Sequence, residues 1–352
     1  MATRQQRSQR ICFVVVVGAL LFLPGGCGRP QQELFPPLAE PLVWPQGSAK
    51  ARIAYIGALS AECDLKSNVS WLQGLGETLF GPKAIAKLVL PAALAADRDH
   101  RLFIADSIAG SVHVFNLHTR KHARFSQLDA EDTLRSPVGL ALADQDLYVV
   151  DSTLHRVCVF TKEGRYRFSF GEDSLIRPSG IAYCPPGDCL FVADTAQHRI
   201  GRFSRQGHLI QWIGSRGQGQ GEFNYPTHLW IDSAGLLYVS DTLNYRIQVL
   251  RTDGTFVRAI GRHGDRSGDL AQPAGVATDR RGHIYVVDKR FENIQIFDPQ
   301  GHLLMAWGGE GTAPGEFWLP GGIFIDFANR IYVADSYNRR IQVFDLLDET
   351  EP

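Results

Sequence analysis

An aspartate followed five residues later by an arginine recurs through the sequence, and such a carboxylate–guanidinium pair could bind a ligand or orient a catalytic group. The pairs that share this spacing are Asp151 and Arg156, Asp194 and Arg199, Asp241 and Arg246, and Asp335 and Arg340. In two further copies, Asp106 faces Ser111 and Asp288 faces Asn293. Because an aspartate present in every copy is expected to close the same turn each time, we interpret all six as structural.

His228 is the second candidate, since an imidazole can act as a general base or as a metal ligand. It stands where the other copies have small residues, namely Ala93, Gly139, Gly180, Gly275 and Gly322. In the fold derived below, this place lies near the mouth of a central channel. A catalytic zinc normally has three protein ligands, which one histidine does not supply. We therefore expect His228 to be a polar channel residue, and we predict no metal and no other cofactor.

The segment from Cys184 to Cys189 encloses Pro-Pro-Gly-Asp, which is typical of a turn. A turn here brings the two thiols together, so we predict a disulfide, which an exported protein can keep. A metal site would need two more ligands, and no C-x-x-C pair or nearby histidine provides them. Cys63 and Cys158 either pair or stay free, and their spacing does not decide between these states.

The repeated aspartates mark six copies of one unit, at intervals of 45, 43, 47, 47 and 47 residues. Each copy contains a proline, an apolar run such as LYVS, the aspartate turn and an alternating run such as YRIQVL. This alternation between short turns predicts four antiparallel strands per copy, without sustained helical periodicity. A period in the forties with several strands is typical of β-propellers. We therefore predict an all-β fold, a six-bladed β-propeller.

The repeat resembles the NHL repeat over residues 90–345. The resemblance is carried by the proline, the aspartate of D-x-x-x-x-R-I and the closing glycine, which in one copy are Pro226, Asp241 and Gly261. It implies a six-bladed propeller, a fold that hosts binding proteins, scaffolds and some enzymes. Metal-dependent lyases of similar fold place histidines from several blades at the channel, where this sequence has His228. A metal-dependent lyase or lactonase-like enzyme with its site in the channel is therefore the alternative function.

Residues 51–57, ARIAYIG, resemble the fourth strand of a copy, although they precede the first full copy. The last copy ends after its third strand, at about Asp345. An unclosed blade would expose a row of unpaired backbone groups. We therefore predict that the N-terminal strand closes the last blade, that the propeller spans residues 51–346, and that 347–352 form a tail. The interruption at 58–89 is either an enlarged connection between blades or a cap over one face.

The N-terminus has the features of an export signal. Arg4, Arg7 and Arg10 precede the apolar residues 11–23, which are too few to span a bilayer. The following LPGGC resembles the lipobox of bacterial lipoproteins, in which the cysteine, here Cys27, becomes lipidated, although Pro24 departs from that motif. We predict a lipoprotein signal peptide at 1–26, with an ordinary signal peptide as the alternative.

Residues 27–50 contain five prolines, which predict a semi-rigid, extended tether. A lipid on Cys27 would anchor this tether to a membrane. The predicted location is therefore the bacterial cell envelope, with the protein on the outer membrane or facing the periplasm.

The charge of the chain argues against binding to nucleic acid. The sequence has 36 basic and 37 acidic residues, and loss of the three signal arginines leaves 33 against 37, a net charge of −4. Some NHL propellers of eukaryotic regulators bind RNA on a basic face, which requires clustered Lys and Arg. The sequence also contains no G-x-S-x-G motif, phosphate loop or haem-attachment motif.

These observations predict a non-catalytic binding or scaffold protein, a monomeric propeller that presents one face to a protein partner in the envelope. The loops that lead from the fourth strand of one blade to the first strand of the next are expected to share this face with the aspartate turns. The predicted contact residues are Arg216, Arg262, His263, Arg266, Arg290 and Trp318.

Overall fold

The computed structural model describes residues 33–47, 50–65, 85–129 and 131–347. Strands dominate these residues, and the few helical segments are 3-10 turns of three or four residues. Six antiparallel sheets form the blades of a propeller. The first strand of each blade contacts the first strand of the next, and the sixth contacts the first, so the ring is closed. The predicted all-β, six-bladed propeller is confirmed.

Two strands precede the first complete blade, β1 (Val43–Trp44) and β2 (Ile53–Leu59). Blade 1 consists of β3 (Pro91–Ala96), β4 (Arg101–Asp106), β5 (Ser111–Asn116) and β6 (Lys121–Phe125). Blade 2 consists of β7 (Pro137–Ala143), β8 (Asp146–Asp151), β9 (Arg156–Thr161) and β10 (Tyr166–Phe170). Blade 3 consists of β11 (Pro178–Cys184), β12 (Cys189–Asp194), β13 (Arg199–Ser204) and β14 (Leu209–Ile213).

The remaining blades follow the same order from the channel outward. Blade 4 consists of β15 (Pro226–Ile231), β16 (Leu237–Asp241), β17 (Arg246–Leu250) and β18 (Phe256–Ile260). Blade 5 consists of β19 (Pro273–Thr278), β20 (Ile284–Asp288), β21 (Asn293–Phe297) and β22 (Leu303–Gly308). Blade 6 begins with β23 (Ile323–Ile325), β24 (Arg330–Asp335) and β25 (Arg340–Leu346).

The N-terminal strand closes the ring. β2 pairs with β25 in antiparallel register, with Ile53 opposite Leu346 and Leu59 opposite Ile341. It is thus the fourth strand of blade 6, as the sequence predicts. β1 adds a fifth strand to the same sheet, where Trp44 lies opposite Ile53. The last blade therefore joins the two ends of the chain and has one strand more than the others.

Part of the predicted tether lies on the propeller. The indole of Trp44 packs against Phe344, with the ring centroids 5.9 Å apart. Phe35 packs on Gly57, where an added Cβ would lie 2.5 Å from its ring. The sequence predicts a spacer over all of 27–50, whereas Leu34, Phe35 and Trp44 pack on the blade because they find apolar neighbours there. Residues 1–32, which include Cys27, lie outside the described residues, as do 66–84 and 348–352.

The core lies between the blades. The second strand of a blade is buried along all or nearly all of its length, as in β12, β16 and β20, since both of its faces pack against neighbouring sheets. The fourth strand alternates between more exposed and less exposed side chains, as in β18, because it forms the outer edge of its blade. Among the described residues, no helix has the length and apolar character needed to cross a membrane.

Glycines bring the inner strands into backbone contact. A Cβ on Gly139 would lie 2.3 Å from the Ser179 carbonyl oxygen, and one on Gly180 would lie 2.8 Å from the Cα of His228. Distances under 3.0 Å are not tolerated between such atoms. The small residues of the repeat at this level are therefore required by the close approach of neighbouring blades.

Candidate functional site

The aspartate of each turn is hydrogen-bonded to the loop that leads into the same blade. The six repeated aspartates are fully buried. In blade 2, one carboxylate oxygen of Asp151 accepts hydrogen bonds from the backbone N–H of Arg135 (2.7 Å) and Ser136 (3.0 Å), and the other accepts from Thr153 and Leu154. Asp288 has an equivalent set of backbone donors in blade 5. These carboxylates are saturated inside the fold, so they do not face a ligand.

The turns share one backbone shape. The residue four positions after each aspartate is left-handed, with φ between 52° and 57°. The arginine partners differ, however. Arg246 Nε donates to Asp241 at 2.8 Å, and Arg340 Nε donates to Asp335 at 2.7 Å.

In blades 2 and 3 the expected aspartate–arginine pair does not form. Arg156 binds Asp132 and Glu172 instead, and Arg199 lies 3.5 Å over the ring of Trp212. The common spacing therefore pairs the arginine with the repeated aspartate in only two of the four blades. In the other two, the loops offer the arginine different acidic or aromatic neighbours.

The aspartate-turn face, meaning the edge formed by the aspartate turns and the loops between blades, exposes large apolar side chains. These are Ile108 (67% exposed), Ile176 (57%), Tyr337 (50%), Trp318 (47%) and Leu243 (45%). Trp318 and Tyr337 contact each other, with ring centroids 5.5 Å apart. Trp318 was predicted from the sequence as a contact residue, whereas the other four were not. A signal was present, since Ile108, Leu243 and Tyr337 each lie two residues after the repeated aspartate.

Cationic side chains lie on the same face. Arg216, Arg262, Arg266 and Arg290 are exposed there, and Arg290 also stands two residues after its aspartate. Arg262 Nε donates to Asp269 at 2.9 Å, yet its side chain is 74% exposed. His263 packs against Tyr245, with ring centroids 4.2 Å apart. All six predicted contact residues thus lie on the aspartate-turn face, which combines apolar groups with charges of both signs, since Asp173, Asp265 and Glu310 are also exposed there.

The central channel contains a cavity of about 380 Å³ that borders residues from the inner strands of all six blades. Its wall is mainly apolar and includes Trp230 and Phe324, whose rings meet edge to face at 5.7 Å. The cavity extends from the level of His228 to the exposed Ser233, in the turn that follows β15. It therefore reaches the edge opposite to the aspartate-turn face.

His228 lies at the inner end of this cavity. Its Nδ1 is 3.1 Å from the hydroxyl oxygen of Thr227. Burial, and secondarily the charge of Lys289, lowers the pKa of His228 to about 3, so the ring is neutral at pH 7. Lys289 was not among the residues predicted from the sequence, although the repeat marks it. The residue that follows the repeated aspartate is Ser or Thr in five copies and Lys in this one.

The residues around His228 do not fit a metal centre with three protein ligands. The equivalent places in the other blades hold Ala93 and four glycines, which have no donor side chain. The nearby ammonium of Lys289 would also repel a cation. Within the described ranges, no group of three His, Cys, Asp or Glu side chains could hold a metal ion.

The predicted disulfide is not formed. Cys184 and Cys189 lie opposite each other in the β11–β12 hairpin, as the turn requires, but both are free and buried. Arg202 Nε approaches the sulfur of Cys189 at 3.4 Å. Cys63 and Cys158 are also free, the first exposed and the second buried. The hairpin thus brings the two thiols together without joining them.

Comparison with known proteins supports the architecture. Residues 171–235 and 276–351 match a family described as "6-bladed beta-propeller". The brain tumor protein of Drosophila melanogaster is 29% identical over 102 residues, which are 27% of this chain. The chain covers 10% of the length of that relative.

Solved propellers with low sequence identity superpose on most of the chain. A Bacteroides thetaiotaomicron protein of unknown function gives a TM-score of 0.60 at 17% identity, covering 74% of this chain and 70% of that one. Virginiamycin B lyase from Staphylococcus aureus gives 0.55 at 16% identity, covering 74% and 96%. At such identities the likeness shows the fold alone.

Proposed function

We propose that this chain is a non-catalytic binding propeller of the NHL lipoprotein type, which presents its aspartate-turn face to a protein in the cell envelope. The observation that carries the proposal is the group of five large apolar side chains that this face exposes, with 45–67% of each in contact with solvent. Single exposed apolar residues are normal, but adjacent ones such as Trp318 and Tyr337, which contact each other, indicate an interaction site.

The residue types on this face indicate what kind of partner would bind it. Aromatic residues and arginine are enriched in protein–protein interfaces, and Trp318, Tyr337 and Arg290 are residues of this kind. The repeated aspartates add no exposed negative charge, because all six are buried. We therefore propose a partner whose docking surface combines apolar side chains with charged groups, because the loops of this face expose both arginines and carboxylates.

The rigidity of the platform supports the same role. The loops on this face are tied to the aspartate turns by buried hydrogen bonds, such as the one from Trp318 N–H to Asp335 at 2.8 Å. A face that is ordered before binding loses little conformational entropy on association. Lipidation at Cys27 would keep it close to the membrane, and this part of the proposal rests on the sequence motif.

The proposal is tested by replacing Trp318 and Tyr337 with Ala in the membrane-anchored protein. The matched control is Phe327→Ala, which removes a side chain of similar exposure, 45%, from the turn between β23 and β24 on the opposite edge. Chemical cross-linking in intact envelopes, followed by mass spectrometry, identifies the partner and measures its yield.

We expect the double variant to lower the yield of a specific cross-linked partner about tenfold, as for two interface hot-spot residues, and the control to leave it unchanged. Equal yields from the double variant and the wild type would contradict the proposal. So would a loss caused equally by Phe327→Ala, because that change lies on the other edge.

The alternative is a metal-dependent lyase or lactonase-like enzyme with its site in the channel. Two solved relatives of the same fold are streptogramin B lyase and virginiamycin B lyase, and a polar side chain, His228, ends the channel cavity. The donor set around His228 disfavours this function. One tightly bound divalent metal per purified chain, lost on His228→Gly, would make the enzyme the better proposal.

A further inference from the structure

The central channel changes character along its length. At the end near the aspartate turns, hydroxyl groups join neighbouring blades. Thr195 donates to the Pro226 carbonyl at 2.7 Å, and Thr242 donates to the Pro273 carbonyl at 2.9 Å. The remainder is the largely apolar cavity that contains Trp230 and Phe324. The channel therefore has a polar end and an apolar body, which meet at the level of His228.

Two side chains near this level depart from the repeat, and they belong to adjacent blades. His228 of blade 4 replaces a small residue. Lys289 of blade 5 replaces the hydroxyl residue that follows the aspartate in the other blades, which is Ser107, Ser152, Thr195, Thr242 or Ser336. Lys289 thus stands at the end of the channel where the equivalent Thr195 and Thr242 donate to the next blade, and its amine contributes to the lowered pKa of His228. Both changes introduce nitrogen atoms at a level where the other blades carry small or hydroxyl side chains. One carboxylate, Asp232, borders the cavity near its opening at Ser233, where it accepts hydrogen bonds from Ala234, Leu236 and Tyr238.

Lys289 has no counter-charge of its own. It is only partly exposed, and burial alone accounts for the lowering of its pKa, since no described carboxylate acts on it. The carboxylate of the preceding Asp288 is directed to the backbone N–H groups of Ala271, Gln272 and Arg290. Burial disfavours the charged form of this amine, and an anion in the channel would favour it.

His228 is held in place but is incompletely bonded. Its Nδ1 contacts Thr227, whereas its Nε2 has no partner among the described residues and the side chain borders the cavity. Thr227 in turn contacts the hydroxyl of Thr242 at 2.7 Å, so the ring is anchored to the wall of the channel. The inner end of the cavity thus presents Nε2 of His228, held in a fixed position, and Lys289 adds a positive potential there when it is protonated.

We infer that the channel binds a small organic carboxylate, with its apolar body in the cavity and its carboxylate beside His228 in the field of Lys289. A cavity of about 380 Å³ is within the size range of small-molecule sites, which are mostly apolar with a few polar groups. The single cation matches a monoanion, whereas a phosphate dianion would require more donors. The inference does not depend on the proposed partner face, because the cavity opens at Ser233 on the opposite edge.

The test is calorimetric titration of the detergent-solubilised mature protein with 4-phenylbutyrate and with its neutral analogue, 4-phenylbutyramide. We expect the acid to bind about tenfold more tightly than the amide, as for one charge-assisted contact. Lys289→Ser, which installs the residue of the other blades, should reduce this preference to about twofold or less. Lys289→Met, which keeps the aliphatic stem, serves as a second variant if the serine variant is unstable.

Two further measurements locate the site. The imidazole NMR signals of His228 should shift when the acid is added, because the ring borders the bound carboxylate. Trp318→Ala, on the aspartate-turn face, should leave the affinity for the acid unchanged. The absence of saturable binding, equal affinities for acid and amide, or a preference that survives in Lys289→Ser would each overturn the inference.

Discussion

His113 occupies a position that is glutamine in three other blades. Gln248 and Gln342 donate to the buried Asp241 and Asp335 at 3.0 and 2.9 Å, respectively. His113 is fully buried, but its Nε2 lies 3.9 Å from Asp106 and is without a hydrogen bond among the described residues. Burial lowers the pKa of His113 to about 4, with opposing influence from Asp106. The substitution of histidine for glutamine therefore introduces a titratable group into the core.

The first prediction is that this residue makes the fold sensitive to acid. The pKa of His113 in the folded protein is below the unfolded value, so its contribution is fully present above about pH 6.5 and is lost as the pH falls toward 4. Between pH 7 and pH 5, the free energy of unfolding should fall by about 2 kcal/mol from this group. Urea denaturation at a series of pH values measures the effect.

His113→Gln should remove this part of the pH dependence, because glutamine is neutral and fits the same position in other blades. The pH dependence of stability that His228 contributes should remain, because the pKa of His228 is also lowered. His118→Gln is the matched control, since His118 is exposed in the same blade. An unchanged slope of stability against pH in His113→Gln would disprove the assignment.

At the scale of the strands, close backbone approach determines which residues the channel wall accepts. A Cβ on Gly139 would meet the Ser179 carbonyl oxygen at 2.3 Å and Val150 at 3.2 Å. Gly309, in contrast, has no atom within 4 Å of an added Cβ. The two glycines look alike in the sequence, but only the first lies between two blades.

The second prediction compares these two glycines. Gly139→Ala should lower the free energy of unfolding by about 1–3 kcal/mol, because the added methyl group forces blades 2 and 3 apart. Gly309→Ala should change it by less than about 0.5 kcal/mol, as for a surface substitution. Chemical denaturation of both variants checks the difference, and equal stabilities would show that the inner strands separate without strain.

The aspartate turns show how one element can be repeated while its side-chain partners vary. The turn shape is the same in all six blades, yet Arg246 pairs with its aspartate and Arg199 stacks on Trp212. Backbone hydrogen bonds to the aspartate come from within the same blade and follow from the repeat. The arginine contacts depend on the neighbouring loops, whose sequences differ between blades.

For the molecule as a whole, ring closure places β1 and β2 in the sheet of blade 6. β2 is held in blade 6, and β1 follows it on the outer edge of that sheet. Leu34, Phe35 and Trp44 of the preceding segment pack on the apolar side chains of this blade. The described part of the predicted tether is therefore attached to the propeller at these side chains.

The third prediction concerns the lipid anchor proposed at Cys27. Cys27→Ala should release the protein from membranes or leave it unprocessed, because the lipid would be attached to the cysteine sulfur. Cys63→Ala, which removes an exposed free cysteine, is the control and should remain in the membrane fraction. Cell fractionation with immunoblotting measures both. A Cys27→Ala protein that fractionates and migrates like the wild type would rule out the lipoprotein assignment.

The sequence alone determined the blade number, the four-strand unit and the closing strand, because period, alternation and turn residues are local properties that repetition makes unambiguous. It also marked His228 as unusual. Only the tertiary structure showed that Lys289 acts on His228, that Trp44 packs on blade 6, and that Ile108, Leu243 and Tyr337 share a face with Trp318. Those relations join residues from different blades or distant parts of the chain. They depend on the angle and spacing at which the sheets pack around the channel, which no local pattern specifies.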